Sequence, residues 1–329
     1  MEDAIVCGGG PAGLAAATWL GRYRRSTLLL DAGRQRNLPA RAAHGYLTQD
    51  GAPPEQLLAA AMTDLKRYES VRIERTDADD VGRDDGVFVV TTRHGEHRAR
   101  RLLLATGVDD VFPDVDGFAD LYGTAVFHCP CCDGYEARGQ RVVAIGWGEH
   151  TAGYALDLLD WGAEVTLVTN GETFEGDEAC RAALDRNDVE LIEDDVARLC
   201  RDGHEMTGVE LASGRTLEAA MAFFSIEHRP RTGLARALGC ELDDDGYVAV
   251  DSHGLTSVPG VYAAGDVTPG EQLIQVAAAE GAVAGIACAM SLRGHDPVPG
   301  AIEPGPDPDR ELSVAAEEVS LGSTLHEGG

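Results

Sequence analysis

Residues 3–33 read "DAIVCGGGPAGLAAATWLGRYRRSTLLLDAG", and their order decides the fold. The apolar run over 3–7 is a short strand, and Gly8, Gly10 and Gly13 follow as G-x-G-x-x-G, with Pro11 and Ala12 inside the turn. An alanine-rich helix is expected to about Tyr23, then "STLLLDAG" forms a second strand ending at Asp31. Glycine keeps such a turn tight and lets the backbone approach a pyrophosphate, whose charge the helix N-terminus favours. Asp31, eighteen residues beyond Gly13, stands where ribose hydroxyls are hydrogen-bonded in such units. A bare glycine pattern is weak, but strand, turn, helix and strand in this order make a nucleotide-binding unit.

The pattern returns once. "QRVVAIGWGEHTAGYALDLLDWGAEVTLVTNG" (140–171) repeats strand, glycine turn, helix and strand, with Gly146, Gly148, Glu149 and Thr151 in the turn. Between the two units, "GVFVVTT" (86–92) and "RARRLLLATG" (98–107) read as hairpin-like strands, the second ending in Ala105, Thr106 and Gly107. "VFPDVDG" (111–117) has the Pro/Gly/Asp character of a crossing linker. After the second unit the first resumes. "GVYAAGD" (260–266) is a short strand ending in Gly265 and Asp266, before a small-residue helix from about Gln272 that carries Gln275 and Val276. The expected fold class is α/β, with two Rossmann-like three-layer units, the second inserted into the first. Residues 296–329, with five prolines between Pro297 and Pro308 and several acids, read as a poorly ordered acidic extension.

The 329 residues are 44% hydrophobic, enough for two cores, with no apolar run of the roughly 18 residues that a membrane span needs. "MEDAIVCGGG" at the start lacks the basic and apolar segments of a secretory signal, so a cytoplasmic protein is expected. The 56 acids against 27 Lys+Arg leave a formal net charge of -29, which repels nucleic acid and anionic membranes. Lys66 is the only lysine. Arginine in its place is the mark of a GC-rich genome, and the acid excess suits a high-salt cytoplasm that screens self-repulsion.

Eight cysteines are too sparse for a secreted disulfide framework, and five stand alone as small hydrophobes. The cluster "FHCPCCDGYE" (127–136) is different. A metal would need about four ligands, and no second C-x-x-C exists. A redox pair uses each neighbour. Two residues separate Cys129 from Cys132, and a cation or helix N-terminus lowers a thiol pKa. His128 is the candidate cation, the turn after Pro130 the candidate N-terminus, and Asp133 an acid toward a leaving thiolate. Cys131 fits no step and is expected to be a packed thiol.

Together these residues resemble the low-molecular-weight thioredoxin reductases, over roughly residues 3–292. "GGGPAG", "LLLATG", C-x-x-C-D-G, a second glycine loop and "GVYAAGDV" occur in the family's order. The resemblance implies an FAD-dependent disulfide oxidoreductase and homodimer. FAD would lie in a discontinuous domain (1–112 and 246–295), and a domain over 113–245 would carry the dithiol. It also implies that Cys132 faces the flavin, that Cys129 exchanges with a protein or small-molecule disulfide or dithiol, and that Asp266 lies near the flavin's pyrophosphate or ribityl chain. Two stretches, "RNLPARAAHGYLTQDG" (36–51) and "HCPCCDGYE" (128–136), are similar to the flavin-dependent dithiol oxidases, which pass electrons to oxygen. Those enzymes usually carry a histidine where this chain has Asp133.

In NADPH-dependent relatives the strand after the second glycine loop ends in His-Arg-Arg, with another Arg shortly after, and these pair the 2′-phosphate. Here Thr169, Asn170 and Gly171 stand there, with Glu175 at the later position. Glu172 and Glu175 repel a phosphate dianion. Trp147 is bulky where the loop should present backbone, whereas Glu149 stands where relatives often carry an acid or amide. NADPH is disfavoured and NADH left open. Three sources of electrons remain: a pyridine nucleotide, a small dithiol with oxygen as acceptor, or another carrier or second flavin. A non-enzymatic sensor would show degraded cysteines or a degraded first loop, and neither is seen.

Overall fold

The computed structural model describes residues 1–161, 164–203 and 205–293. The expected tail over 296–329, and the last two residues of the segment 246–295, lie outside them. The opening run forms β1 (Glu2–Cys7), α1 (Pro11–Arg22) and β2 (Thr27–Leu30). Ala4 and Val6 of β1 pack into the core beneath α1, while Ile5 and Cys7 enter the core on the opposite face. Burial on both faces is why this strand is an unbroken apolar run rather than an alternation. α2 (Pro54–Leu65) leads to β3 (Val71–Glu74), followed by β4 (Asp80–Asp84), β5 (Val87–Thr92) and β6 (Gly95–Leu104). The strand order is β3-β2-β1-β6-β5-β4, parallel from β3 to β6 and antiparallel through β5 and β4.

β7 (Val108–Val111) carries the chain away from this sheet, through α3 (Phe118–Leu121), β8 (Val126–Phe127) and the single-turn α4 (Pro130–Asp133). The repeated unit follows as β9 (Arg141–Ile145), α5 (Thr151–Asp157), β10 (Glu164–Val168), α6 (Glu178–Arg186) and β11 (Glu190–Ile192). β12 (Val196–Asp202), β13 (Glu205–Leu211) and β14 (Thr216–Glu218) make an antiparallel flap before β15 (Met221–Phe224) completes a parallel sheet of order β11-β10-β9-β15-β8. The flap shares a core with the sheet through Leu199, Val209 and Leu211 against Val143, Ile145 and Val168. β16 (Glu227–Pro230) then runs antiparallel to β7, so the outgoing and returning chain lie side by side.

After α7 (Gly233–Leu238), β17 (Val261–Ala263) pairs with Leu102–Leu104 of β6, parallel to it, beyond the part of β6 that pairs with β5. The late chain thus rejoins the first sheet, and α8 (Ile274–Met290) packs along α1. The fold is α/β, with two three-layer Rossmann-like units, the second inserted into the first. α8 reaches α1 only because its contact face is glycine and alanine. A Cβ on Gly281 would overlap the Ala12 carbonyl, and one on Gly285 would lie 2.7 Å from the Ala16 carbonyl oxygen. Gly281→Ala is therefore expected to cost about 1–3 kcal/mol through overpacking, seen as a lowered melting temperature. Among the described residues, no helix is long and apolar enough to cross a membrane.

Candidate active site

The turns after β1, β6 and β17 open on one groove, at the carboxyl ends of neighbouring parallel strands where α/β sheets take ligands. Gly8, Gly10, Pro11 and Ala12 line it, as do Ala105, Thr106 and Gly107 and also Gly265, Asp266 and Gln275. Two candidates of the same loops do not. Gly13 sits behind the wall, where any Cβ would overlap the Gly8 carbonyl, and Val276 also falls outside the lining. The N-cap of α1 is Gly10, which offers no side-chain cap, and nothing lies within 4 Å of its Cβ position. The first-turn amides are thus left for an anionic group. Asp31 lines the groove although almost wholly buried, accepting from the Gly33 amide at 2.8 Å, from Gln35 Nε2 at 2.8 Å, and from Arg75.

Cys129 and Cys132 are disulfide-bonded with Cα atoms 5.3 Å apart, and both line the same groove. Cys129 is the N-cap of α4, and its Sγ accepts from the Cys132 amide at 3.2 Å. Asp133, next along the groove, has its carboxyl pushed up to about 7 by burial, with Glu136 adding to the rise and His44 opposing it. His44 Nε2 lies 3.6 Å from Glu136 Oε1, which places a histidine near the acid that the sequence pattern did not indicate. Cys131 is a correction. It is exposed and lines the groove instead of packing into the interior. Residues three apart on a helical turn share a side, so closing Cys129 onto Cys132 turns the intervening thiol outward.

His128 is a second correction. It lines the groove as expected, yet it is not the cation that would lower a thiol pKa. Burial, and then the adjacent Arg36 guanidinium, lower its pKa to about 4. The charged side chain beside His128 is Arg36, from the loop after β2, which no spacing in the sequence singled out. Its Nε donates to Asp110 Oδ2 at 2.9 Å, and Nη1 donates to Asp266 Oδ2 at 3.2 Å and Gln272 Oε1 at 2.6 Å. Although burial raises it, hydrogen bonds from His228 and Arg36 hold the Asp110 carboxyl well below the usual carboxylate range. Asp110, His128 and His228 offer ligand atoms within 4.8 Å of one another, but the guanidinium lies within hydrogen-bond distance of all three and fills the cation position.

Gly146, Gly148, Glu149 and Thr151 sit apart from this groove, in the turn between β9 and α5. The His150 ring lies over Gly148, 3.1 Å from its Cβ position, and its Nε2 is 2.7 Å from Ser225 Oγ. Beyond β10, Thr169 is buried and Asn170 Oδ1 accepts from the Val196 amide at 3.3 Å. Glu175 donates its amide to the Trp147 carbonyl at 2.9 Å, and Arg181 is paired with Glu193 at 2.8 Å.

The sequence pattern of the pyridine nucleotide-disulphide oxidoreductase family matches residues 2–281. The chain is 30% identical to the thioredoxin reductase aclD of Aspergillus oryzae, covering 89% of this chain and 96% of that one. It is 32% identical to the thioredoxin reductase sirT of Leptosphaeria maculans, covering 89% and 95%. Among solved structures, HlmI superposes with a TM-score of 0.84 at 36% identity, covering 88% and 92%. An oxidoreductase from Agrobacterium tumefaciens superposes with a TM-score of 0.81 at 35% identity, covering 88% and 98%. With the glycine cradle and the disulfide sharing one groove, these likenesses place the chain in the pyridine nucleotide-disulphide oxidoreductase family, as an FAD-dependent thiol–disulfide oxidoreductase of the thioredoxin-reductase-like type.

Proposed function

We propose that Cys129 and Cys132 exchange electrons with a disulfide or dithiol substrate on one side and with FAD in the groove on the other. The observation that carries this reading is the disulfide in the wall of the groove that the first glycine turn also lines. The residues present fit FAD: the uncapped α1 N-terminus suits the pyrophosphate, Asp31 the adenosine ribose, and Thr106, Asp266 and Gln275 the remainder. When bound, FAD supplies two-electron oxidation and reduction. The domain division follows the same reading, with 1–112 and 246–295 holding the flavin and 113–245 carrying the dithiol.

In the reducing direction the Cys129 thiolate attacks a substrate sulfur. A mixed disulfide forms, and one substrate thiolate leaves with a proton from Asp133. The Cys132 thiolate then attacks Cys129 Sγ, releasing the second substrate thiolate and closing the Cys129–Cys132 disulfide. A dithiol substrate runs the same steps backwards. His128 serves by position, since its imidazole is held neutral.

The second glycine loop does not fit NADPH. His150 covers Gly148, Thr169, Asn170 and Gly171 stand where the phosphate-binding cations would, with Glu175 at the later arginine position, and Arg181 is engaged by Glu193. We therefore choose a donor other than NADPH for the flavin: NADH, another carrier or, in the oxidising direction, a dithiol. Cys7, Cys131, Cys180, Cys200, Cys240 and Cys288 are free thiols, which suits a reducing, cytoplasmic compartment, and the resemblance supports a homodimer. The test is anaerobic: oxidised holoenzyme is mixed with NADPH, NADH or dithiothreitol while the flavin absorbance is followed. Bleaching by dithiothreitol is expected. Failure of dithiothreitol to bleach would overturn the redox-pair reading, and faster bleaching by NADPH would overturn the choice of donor. Recovery of colour in air would identify oxygen as an acceptor.

A further inference from the structure

Arg36 joins the dithiol loop to the flavin groove. Besides Asp110, Asp266 and Gln272, its Nη2 reaches His128 Nε2 at 3.1 Å, one residue before Cys129. A guanidinium has only donors, so His128 Nε2 must present a lone pair, which leaves Nδ1–H for the Tyr122 hydroxyl at 2.8 Å. The His128 carbonyl in turn accepts from the Tyr154 hydroxyl at 3.3 Å. His228 Nδ1 lies 3.1 Å from Arg36 Nη2 and 2.7 Å from Asp110 Oδ1. One nitrogen cannot accept from the first and donate to the second. The carboxylate accepts the Nδ1–H hydrogen bond, and the contact with Arg36 is packing.

We propose that Arg36 is a positioning residue of the redox centre: its fork holds His128, and with it the backbone leading into the Cys129–Cys132 turn, in register with Asp266 and Gln272 on the groove wall. The proposal rests on the reading that this groove holds FAD and that the disulfide exchanges electrons with it. The partners lie 92 residues (His128) and 230 residues (Asp266) from Arg36 in the chain, so the side chain ties the inserted unit to the late segment of the first. A lysine could keep the charge. It could not span Asp110, Asp266 and His128 together, because its three donors leave one atom.

Flavin-loaded Arg36→Lys and Arg36→Gln test this with two readouts. The first is the rate at which saturating dithiothreitol bleaches the flavin without oxygen. It is expected to fall on the order of tenfold or more in both variants, as small misplacements of reacting groups do. The second is histidine NMR, with the His128 signal assigned by His128→Asn. The groups that face His128 are Arg36, Asp110, His228 and Tyr122. In the wild type and in Arg36→Lys, His128 is expected to stay neutral between about pH 5.5 and 8. In Arg36→Gln, with Asp110 and Asp266 left without their cation, it is expected to titrate inside that window. An Arg36→Lys variant that bleaches at the wild-type rate would overturn the proposal, and so would a wild-type His128 that titrates there. If Arg36→Gln loses its flavin, Arg36→Lys alone decides. A wild type that dithiol does not bleach fails the redox-pair reading itself, whereas equal bleaching in wild type and variants fails only the role of Arg36.

Discussion

Serine at Cys129 or at Cys132 is expected to abolish turnover while leaving FAD bound, because a hydroxyl neither attacks sulfur at neutral pH nor closes a disulfide. The two variants should fail differently. With Cys132→Ser, Cys129 can still attack a substrate disulfide, and the mixed disulfide has no partner thiol to release it. Mass spectrometry should then show the substrate half covalently retained. With Cys129→Ser no such adduct should accumulate. The reverse pattern would exchange the roles of the two sulfurs. Cys131→Ser should keep most of the turnover. Its thiol is exposed in the groove and outside the disulfide, and loss of turnover with flavin retained would bring it into the mechanism.

Asp133→Asn is expected to slow the thiol-exchange step by about 10²–10⁴, the usual worth of a positioned acid. The sign with pH follows from the direction of the shift. Burial raises this carboxyl from 3.8 to about 7, so the proton-donating form is present below that pH and lost above it. The wild-type rate of the acid-dependent step should therefore fall as pH rises through about 7, and Asp133→Asn should lack that inflection. Stability gives an independent reading. Between 3.8 and about 7 the native state binds a proton that the unfolded chain has released, so wild-type stability falls as pH rises across this window. Asparagine removes that cost. The variant should be more stable than wild type by a few kcal/mol at about pH 8 and nearly equal at about pH 4, measured by urea unfolding of the oxidised protein. Equal stability at both values would mean that Asp133 is not held protonated by its surroundings.

The opening stretch and its echo at 140–171 carried the architecture, because a strand, a glycine turn and a helix are written in adjacent residues. Both units formed close to the expected positions, down to β17 and α8 rejoining the first sheet. The second unit's helix is shorter than its apolar pattern, since α5 passes into a 3-10 turn over Leu158–Trp161. The pairing of Cys129 with Cys132 was equally local, as sulfurs three residues apart can meet within one turn.

Burial and distant partners decided the rest. His128 looks like a cation in a string of letters, and it is neutral because the fold buries it against a guanidinium 92 residues away. Asp133 looks like an ordinary carboxylate, and burial in the groove wall pushes it up to about 7. Arg36, Asp110, Asp266 and Gln272 meet only after three separate segments have folded together, so no spacing could announce their meeting. Motifs record which backbone can approach a ligand. Charge states depend on solvent and neighbours, which exist only once the chain has closed on itself.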